Sequence, residues 1–154
     1  MGKKNEFFRA NTGAVIIDER GQVLAFKRAD IKDHAWQLPQ GGLKQGEDPL
    51  HAVYREIEEE TFITSDKLNL IAEYPQWLIY ELPAPYRSGK AGRGQAQKWY
   101  LFRFSGSVAD IGVDNKEFST WQWMDFEDLL TVVVNFRRPV YKKLLEAFGV
   151  YFSK

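Results

Sequence analysis

From Arg55 the chain reads Arg-Glu-Ile-Glu-Glu-Glu, four carboxylates in the five positions 56–60. On an α-helix successive residues turn by about 100°, so Glu56, Glu59 and Glu60 share a flank and Glu58 points elsewhere. Like charges at this spacing repel by a few tenths of a kcal/mol, and they lie toward a helix C-terminus, where the dipole opposes negative charge. A divalent cation reverses both effects. Carboxylate oxygens without thiolate or imidazole suit Mg²⁺ or Mn²⁺. The rest of the chain restricts the choice in the same direction. It has no Cys and two His, which excludes disulfides, zinc–thiolate sites and cysteine nucleophiles. Charge runs are usually solvated, so the acids alone also fit a plain exposed face.

The residues upstream favour a built site. Glu47 stands eight residues before Arg55 and is placed to pair with it across a loop–helix junction. Gln40–Glu47 contains three glycines and reads as a loop able to fold tightly and offer a backbone carbonyl to the helix. Asp48 is an N-cap type and Pro49 suits the first helical position. Leu50, Val53, Tyr54 and Ile57 then recur at helical spacing and form an apolar stripe.

Around this helix the pattern is β-rich. Thr12–Ile17 and Gln22–Arg28 flank the turn cluster Asp18–Gly21 and read as a hairpin. Ala29–His34 is polar and loop-like, and Trp36–Pro39 is short and extended, because the residue before proline avoids the helical region. Strands are expected over 68–74, 77–82, 97–104 and 121–124, and helices over 126–133 and 139–148. No repeat or linker divides the 154 residues, so one domain spanning 1–154 is expected.

Lys plus Arg and Asp plus Glu each number 21. Zero net charge argues against non-specific coating of nucleic acid, which needs excess positive charge. Locally the balance differs. No acid occurs from Leu82 to Ala109, while Arg87, Lys90, Arg93, Lys98 and Arg103 do. Such a stretch suits the arrival of an anion, and residues 83–95 also read as a mobile surface loop. No apolar run exceeds four residues, so no membrane span is expected. The start at Met1 lacks the apolar stretch of a signal peptide, and a cytoplasmic location is expected.

Residues Gly41, Glu47, Arg55, Glu56, Ile57, Glu59, Glu60 and Ile63 stand at the spacing of the Nudix hydrolase signature, which this segment resembles. One position departs: Phe62 replaces the signature glycine, from which altered packing or a different helix exit is expected. Trp36–Gly42, Trp77–Pro83, Gln95–Leu101 and Val133–Tyr141 resemble blocks of the bacterial RNA pyrophosphohydrolases and of the related plant and bacterial dinucleoside polyphosphate hydrolases. The resemblance implies an α/β/α sandwich with a mixed β-sheet, and Mg²⁺ (or Mn²⁺) chemistry with more than one ion per site.

It also implies roles. Glu56 and Glu60 are the main metal ligands, with Glu59 a further ligand, Glu117 a ligand from a distant loop, and Gly41 a carbonyl ligand. Glu56, Glu59 and Glu117 form the catalytic set, from which the general base is drawn. Glu47 and Arg55 support the loop. Arg9, Arg28, Tyr80, Gln97, Lys98 and Arg137 are substrate-side positions, and Val134 and Phe136 match a nucleobase cradle. The expected reaction is Mg-dependent hydrolysis of the 5′-triphosphate end of RNA to a 5′-monophosphate, a step that promotes mRNA decay. The alternatives are a dinucleoside polyphosphate or mononucleotide hydrolase, and a non-catalytic nucleotide-binding sensor. The oligomeric state is open, a homodimer included.

Overall fold

The computed structural model describes residues 6–30 and 35–153. The N-terminal Met1–Asn5 and positions 31–34 of the polar loop lie outside the described residues. The strands are β1 (Phe8–Ile17), β2 (Val23–Arg28), β3 (Trp36–Gln37), β4 (Gln40–Gly42), β5 (Leu68–Glu73), β6 (Leu78–Glu81), β7 (Gly94–Phe104) and β8 (Phe118–Met124). The helices are α1 (Pro49–Thr61), α2 (Phe126–Val132) and α3 (Arg138–Phe148). The sheet is mixed. β1 and β7 run parallel from Phe8↔Gly94 to Ile17↔Arg103, and the other pairings are antiparallel.

Both faces of the central strands are covered, so they read as continuous apolar runs rather than alternating ones. Ala14, Ile16, Leu24, Phe26, Tyr100 and Phe102 face Val53 and Ile57 of α1. On the other face Val15, Ile17, Val23, Ala25, Trp99 and Leu101 meet Phe126, Leu129, Tyr141, Leu144 and Phe148 of α2 and α3. This is the expected α/β/α sandwich. The described residues include no helix long and apolar enough to cross a membrane.

Three departures from the expected elements shape the site. β1 begins at Phe8 rather than Thr12, because its first residues pair with β7. β1 meets β2 only at Ile17↔Val23, so the two strands of the expected hairpin splay apart. The exposed edge of β1 is then taken by Gln40–Gly42, which is a strand rather than a loop, paired with residues 11–13.

Helix α1 starts as its sequence dictates. The Asp48 carboxylate accepts from Leu50 N at 3.1 Å and His51 N at 3.3 Å, a cap worth about 1 kcal/mol. It ends at Phe62, which takes the left-handed conformation at φ 64° and donates its N–H to Glu58 O. The helix exit is therefore the one glycine would make, not a different one, and the phenylalanine carries the strain of the left-handed region. The altered packing does occur: the Phe62 ring lies against Gly112, where a Cβ would overlap it.

A long-range bond sets the lead-in to the site. Tyr141 is fully buried in α3, and its hydroxyl accepts from Leu38 N at 2.9 Å. Burial raises the Tyr141 pKa, so the hydroxyl stays neutral. It anchors the turn that carries β4 to the cleft.

Candidate active site

The acidic helix and the glycine strand are joined by Arg55. Its guanidinium grips Glu47 in a bidentate pair, Nε to Oε2 at 2.7 Å and Nη2 to Oε1 at 2.8 Å. Nη2 also donates to Gly42 O at 3.0 Å. Nη1 reaches Glu56 Oε1 at 2.9 Å and Glu59 Oε2 at 3.2 Å. The geometry agrees with the loop–helix pairing expected from the spacing. The Arg55 hydrogen bonds, aided by Lys44 N, hold the Glu47 carboxyl far below the usual range, and the Arg55 pKa is raised chiefly by the same pair.

The three acids do not share one environment. The Glu59 side chain is 54% exposed, Glu56 is largely covered, and Glu60 is buried with 6% exposed. Glu60 is the most buried of the three along their shared flank. Burial pushes its pKa up to about 9, with Glu56, Glu117, Asp114 and Glu59 adding repulsion. Glu56 is raised more modestly, by burial set against the attraction of Arg55.

Two observations test whether these residues suit a cation. Glu60 Oε1 is buried and has no hydrogen-bond partner among the described residues, an arrangement that costs free energy unless something positive meets it. A Cβ on Gly41 would overlap the Glu56 carboxyl, so only glycine allows the carboxyl to lie on this backbone. Among the described residues no three acids already stand as a closed ligand set, and Arg55 engages both Glu56 and Glu59. The donors nevertheless fit a hard divalent cation.

These acids border a cavity of about 800 Å³. Its walls include Gly41, Glu56, Glu59, Glu60 and Glu117, together with Arg9, Arg28, Tyr80, Val134, Phe136 and Arg137. Glu117 thus stands with the helix acids although it lies 57 positions beyond Glu60. The Arg9 guanidinium rests on Gly42, where a Cβ would strike it. Arg28 is held by Asp30 in a two-point contact, both bonds 2.9 Å. That contact raises its pKa, opposed by burial and aided by Glu117 and Glu60. Phe136 lies 5.8 Å from Tyr80 and 5.4 Å from Tyr86 between ring centroids. The Arg137 guanidinium lies over the Phe136 ring at 5.0 Å from its centroid and donates to Gln37 Oε1 at 3.2 Å.

Two expected substrate-side residues are placed differently. Lys98 faces the opposite side of β7 from Gln95 and Gln97, as strand alternation requires. Its ammonium is engaged by Glu73 at 3.1 Å and Tyr74 O at 3.2 Å. Gln97 faces the cleft side but is fully employed. Its Nε2 donates to Asn11 Oδ1 at 2.9 Å and Gln40 Oε1 at 3.1 Å, and its Oε1 accepts from Trp99 Nε1 at 3.0 Å. It props the wall and does not form it.

The acid-free stretch is also less available than its composition suggests. Arg87 donates to Leu82 O at 2.7 Å, and Arg87 and Arg93 converge on Glu81 at 3.5 and 2.5 Å. Arg103 donates to Asp18 O at 3.2 Å. Lys90 is the cation of this stretch that lines the cavity. The excess charge is largely structural because Glu81, adjoining the acid-free window, and Glu73 on the neighbouring β5 pair with its cations.

Several lining residues are not among the expected site positions, although Gln37, Gln40 and Gln95 lie within blocks that resemble the family. Asp114 organises the Glu117 loop by accepting from the backbone N–H of Lys116, Glu117 and Phe118 at 3.0, 2.9 and 3.2 Å. These bonds hold its carboxyl below the usual range, against its desolvation. Asn11, Asp30, Gln37, Gln40, Tyr86 and Gln95 also line the wall. An Asp-x-x-Glu pattern could have marked the Asp114 turn, and strand parity could have separated Gln97 from Lys98.

The NUDIX domain model matches residues 7–144. An RNA pyrophosphohydrolase of Rhodospirillum rubrum is 42% identical over 143 residues, covering 90% of this chain and 85% of the relative. One of Cereibacter sphaeroides is 38% identical over 146 residues, covering 92% and 90%. Among solved structures, an Ap4A hydrolase binary complex of C. elegans has a TM-score of 0.70 at 23% identity, covering 94% of this chain and 99% of that one. The last shows a shared fold.

Proposed function

This chain belongs to the Nudix family of hydrolases, and on that premise we propose that it removes the terminal phosphates from the 5′-triphosphate end of RNA. Water attacks a phosphoanhydride, leaving a 5′-monophosphate end and releasing pyrophosphate or successive phosphates. The observation that carries the reading is the pairing of walls. Glu60, a buried acid with one oxygen unpaired among the described residues, faces the same cavity as three arginines and an aromatic cluster. Relatives named RNA pyrophosphohydrolase that align along nine-tenths of the chain support the choice of RNA.

Nudix hydrolases generally need a divalent metal. Here Mg²⁺ or Mn²⁺, more than one ion, would be held by Gly41 O, Glu56, Glu59, Glu60 and Glu117. When bound, such ions neutralise polyphosphate charge and lower the pKa of water. The chain's own residues supply the remainder. Arg55, locked by Glu47, keeps Glu56 and Glu59 in place. Arg9 and Arg28 meet the anionic oxygens, and their fixed positive charge grows in value as charge moves outward during cleavage. Glu59, which water reaches freely, and Glu117 are the candidates to accept the proton of the attacking water, with Glu56 beside them. Tyr80, Val134 and Phe136 hold the base, where stacking tolerates any base and is worth about 1–3 kcal/mol.

The test is direct. Purified protein with Mg²⁺ is given triphosphate-ended RNA and, separately, diadenosine tetraphosphate. Conversion of the RNA to a monophosphate end at the higher kcat/KM is expected. Much faster cleavage of the dinucleotide would replace RNA as the substrate. Glu56→Gln should abolish turnover with the fold intact, whereas a sensor would lack turnover in the wild type.

A further inference from the structure

One amide of the cavity wall has a buried, unpaired oxygen among the described residues. Gln95 lies on β7, with Arg9 of β1 beside it in the parallel register and Tyr80 of β6 beside it in the antiparallel one. Paired residues on neighbouring strands point to the same face, so the three side chains form a row, and all three line the cavity. Gln95 is 7% exposed, yet its side-chain oxygen has no hydrogen-bond partner among the described residues. The contrast with Gln97 two residues on, whose amide is satisfied at both ends, is instructive. One amide of this strand holds the wall together, and the other is spare. A buried acceptor left unpaired weakens the free protein, and such a group is retained most readily where a ligand completes it.

We propose that Gln95 is a specificity-determining residue that accepts a hydrogen bond from the nucleoside at the reacting 5′ end. The proposal rests on the substrate reading above. Its position in the row defines what reaches it. Arg9 provides a cation for phosphate and Tyr80 an aromatic face for a base, and adjacent strands stand about 4.8 Å apart. The two ends of the row are therefore separated by about 10 Å, the scale of one nucleoside, and the amide falls between them, beside the sugar and the base edge. The partner is a donor of the nucleoside, either a ribose hydroxyl or an exocyclic amino group.

The experiment compares wild type with Gln95→Leu, nearly the same in volume, and with Gln95→Met as a second variant. Substrates are triphosphate-ended RNAs beginning with guanosine, 2′-deoxyguanosine or inosine. Wild-type kcat/KM is expected to fall about tenfold on one analogue, in keeping with the loss of one hydrogen bond. The variants should treat that analogue and its parent alike, at the reduced rate. Loss of discrimination on the deoxy substrate assigns the ribose hydroxyl, and loss on inosine assigns the base amino group. Without substrate the variants should melt no lower than wild type, because an unpaired polar group has been removed. Equal analogue-to-parent ratios in wild type and both variants would overturn the proposal. Parallel arms with diadenosine tetraphosphate and its deoxy and inosine counterparts separate the two questions. Wild-type turnover of RNA reports on the substrate, and the variant-to-wild-type ratio on either substrate reports on Gln95.

Discussion

Glu60→Gln should make the metal-free protein more stable while removing its response to metal. Glu60 is 6% exposed, and its pKa is pushed from 4.5 to about 9. In the unfolded chain the carboxyl loses its proton near the ordinary value. In the folded chain it keeps the proton until about pH 9. Between these values the native state binds more protons than the unfolded state, so stability falls as pH rises. Below the ordinary value both states are protonated and the loss vanishes. From 4.5 to pH 7 is 2.5 units, and at about 1.4 kcal/mol per unit the wild type forgoes about 3 kcal/mol by pH 7. Glutamine has nearly the same shape and no charge to lose. Without metal, the Glu60→Gln variant should therefore be about 3 kcal/mol more stable than wild type at pH 7, a rise in Tm of about 6–12 °C for a domain of this size. At pH 4 the two proteins should melt within about 1 °C of each other. Mg²⁺ at about 1,000 times its Kd should reverse the order, since it stabilises the wild type by about 4.1 kcal/mol and the glutamine site cannot collect it. The assay is thermal unfolding from pH 4 to 8, in chelator and in Mg²⁺. A stability difference that does not grow with pH in chelator would refute the burial argument. A variant that gains as much from Mg²⁺ as wild type would refute the metal role.

Other substitutions probe separate links. Gly41→Ala should cut kcat at least about 100-fold, as with supporting groups at metal sites, because its Cβ overlaps the Glu56 carboxyl; activity and Mg²⁺ titration calorimetry together would show it, and near-normal binding would count against the cradle. Phe62→Gly should raise stability by about 1 kcal/mol, since the left-handed φ of 64° penalises a residue with a Cβ; a fall in the denaturant midpoint would mean that packing on Gly112 outweighs the strain. Arg55→Lys should lower kcat by about 10–100-fold with a smaller change in KM, because an ammonium cannot grip Glu47 at two points while reaching Glu56 and Glu59; unchanged turnover would make the guanidinium network incidental. Tyr141→Phe should cost about 1–3 kcal/mol in chemical unfolding, since it strands the buried N–H of Leu38, and an unchanged midpoint would show that this anchor carries no energy.

Local chemistry was legible in the sequence. The Asp48 cap, Pro49 at the helix start and the apolar spacing through Ile57 specify α1 within its own turns, so a short window of residues suffices. The signature acids and the Glu47–Arg55 pair follow from the same local geometry, since both ends of that contact sit on one loop and the helix it feeds. Beyond that reach the readings weakened. Glu60 and Glu59 are neighbours in sequence, yet only the packing of α1 on the sheet buries one and exposes the other. Lys98 was separated from the cleft by strand parity, and Gln97 was withdrawn from it by partners on β1, β4 and its own strand. The splay of β1 from β2, filled by β4, is a property of three strands together and has no signature in any one of them. Asp30, Asp114 and Gln95 became visible as site residues only once distant segments met. Local sequence sets which elements form and which side chains carry charge. Which of those side chains meet water, each other or an open cavity depends on contacts between residues tens of positions apart, and those exist only in the folded chain.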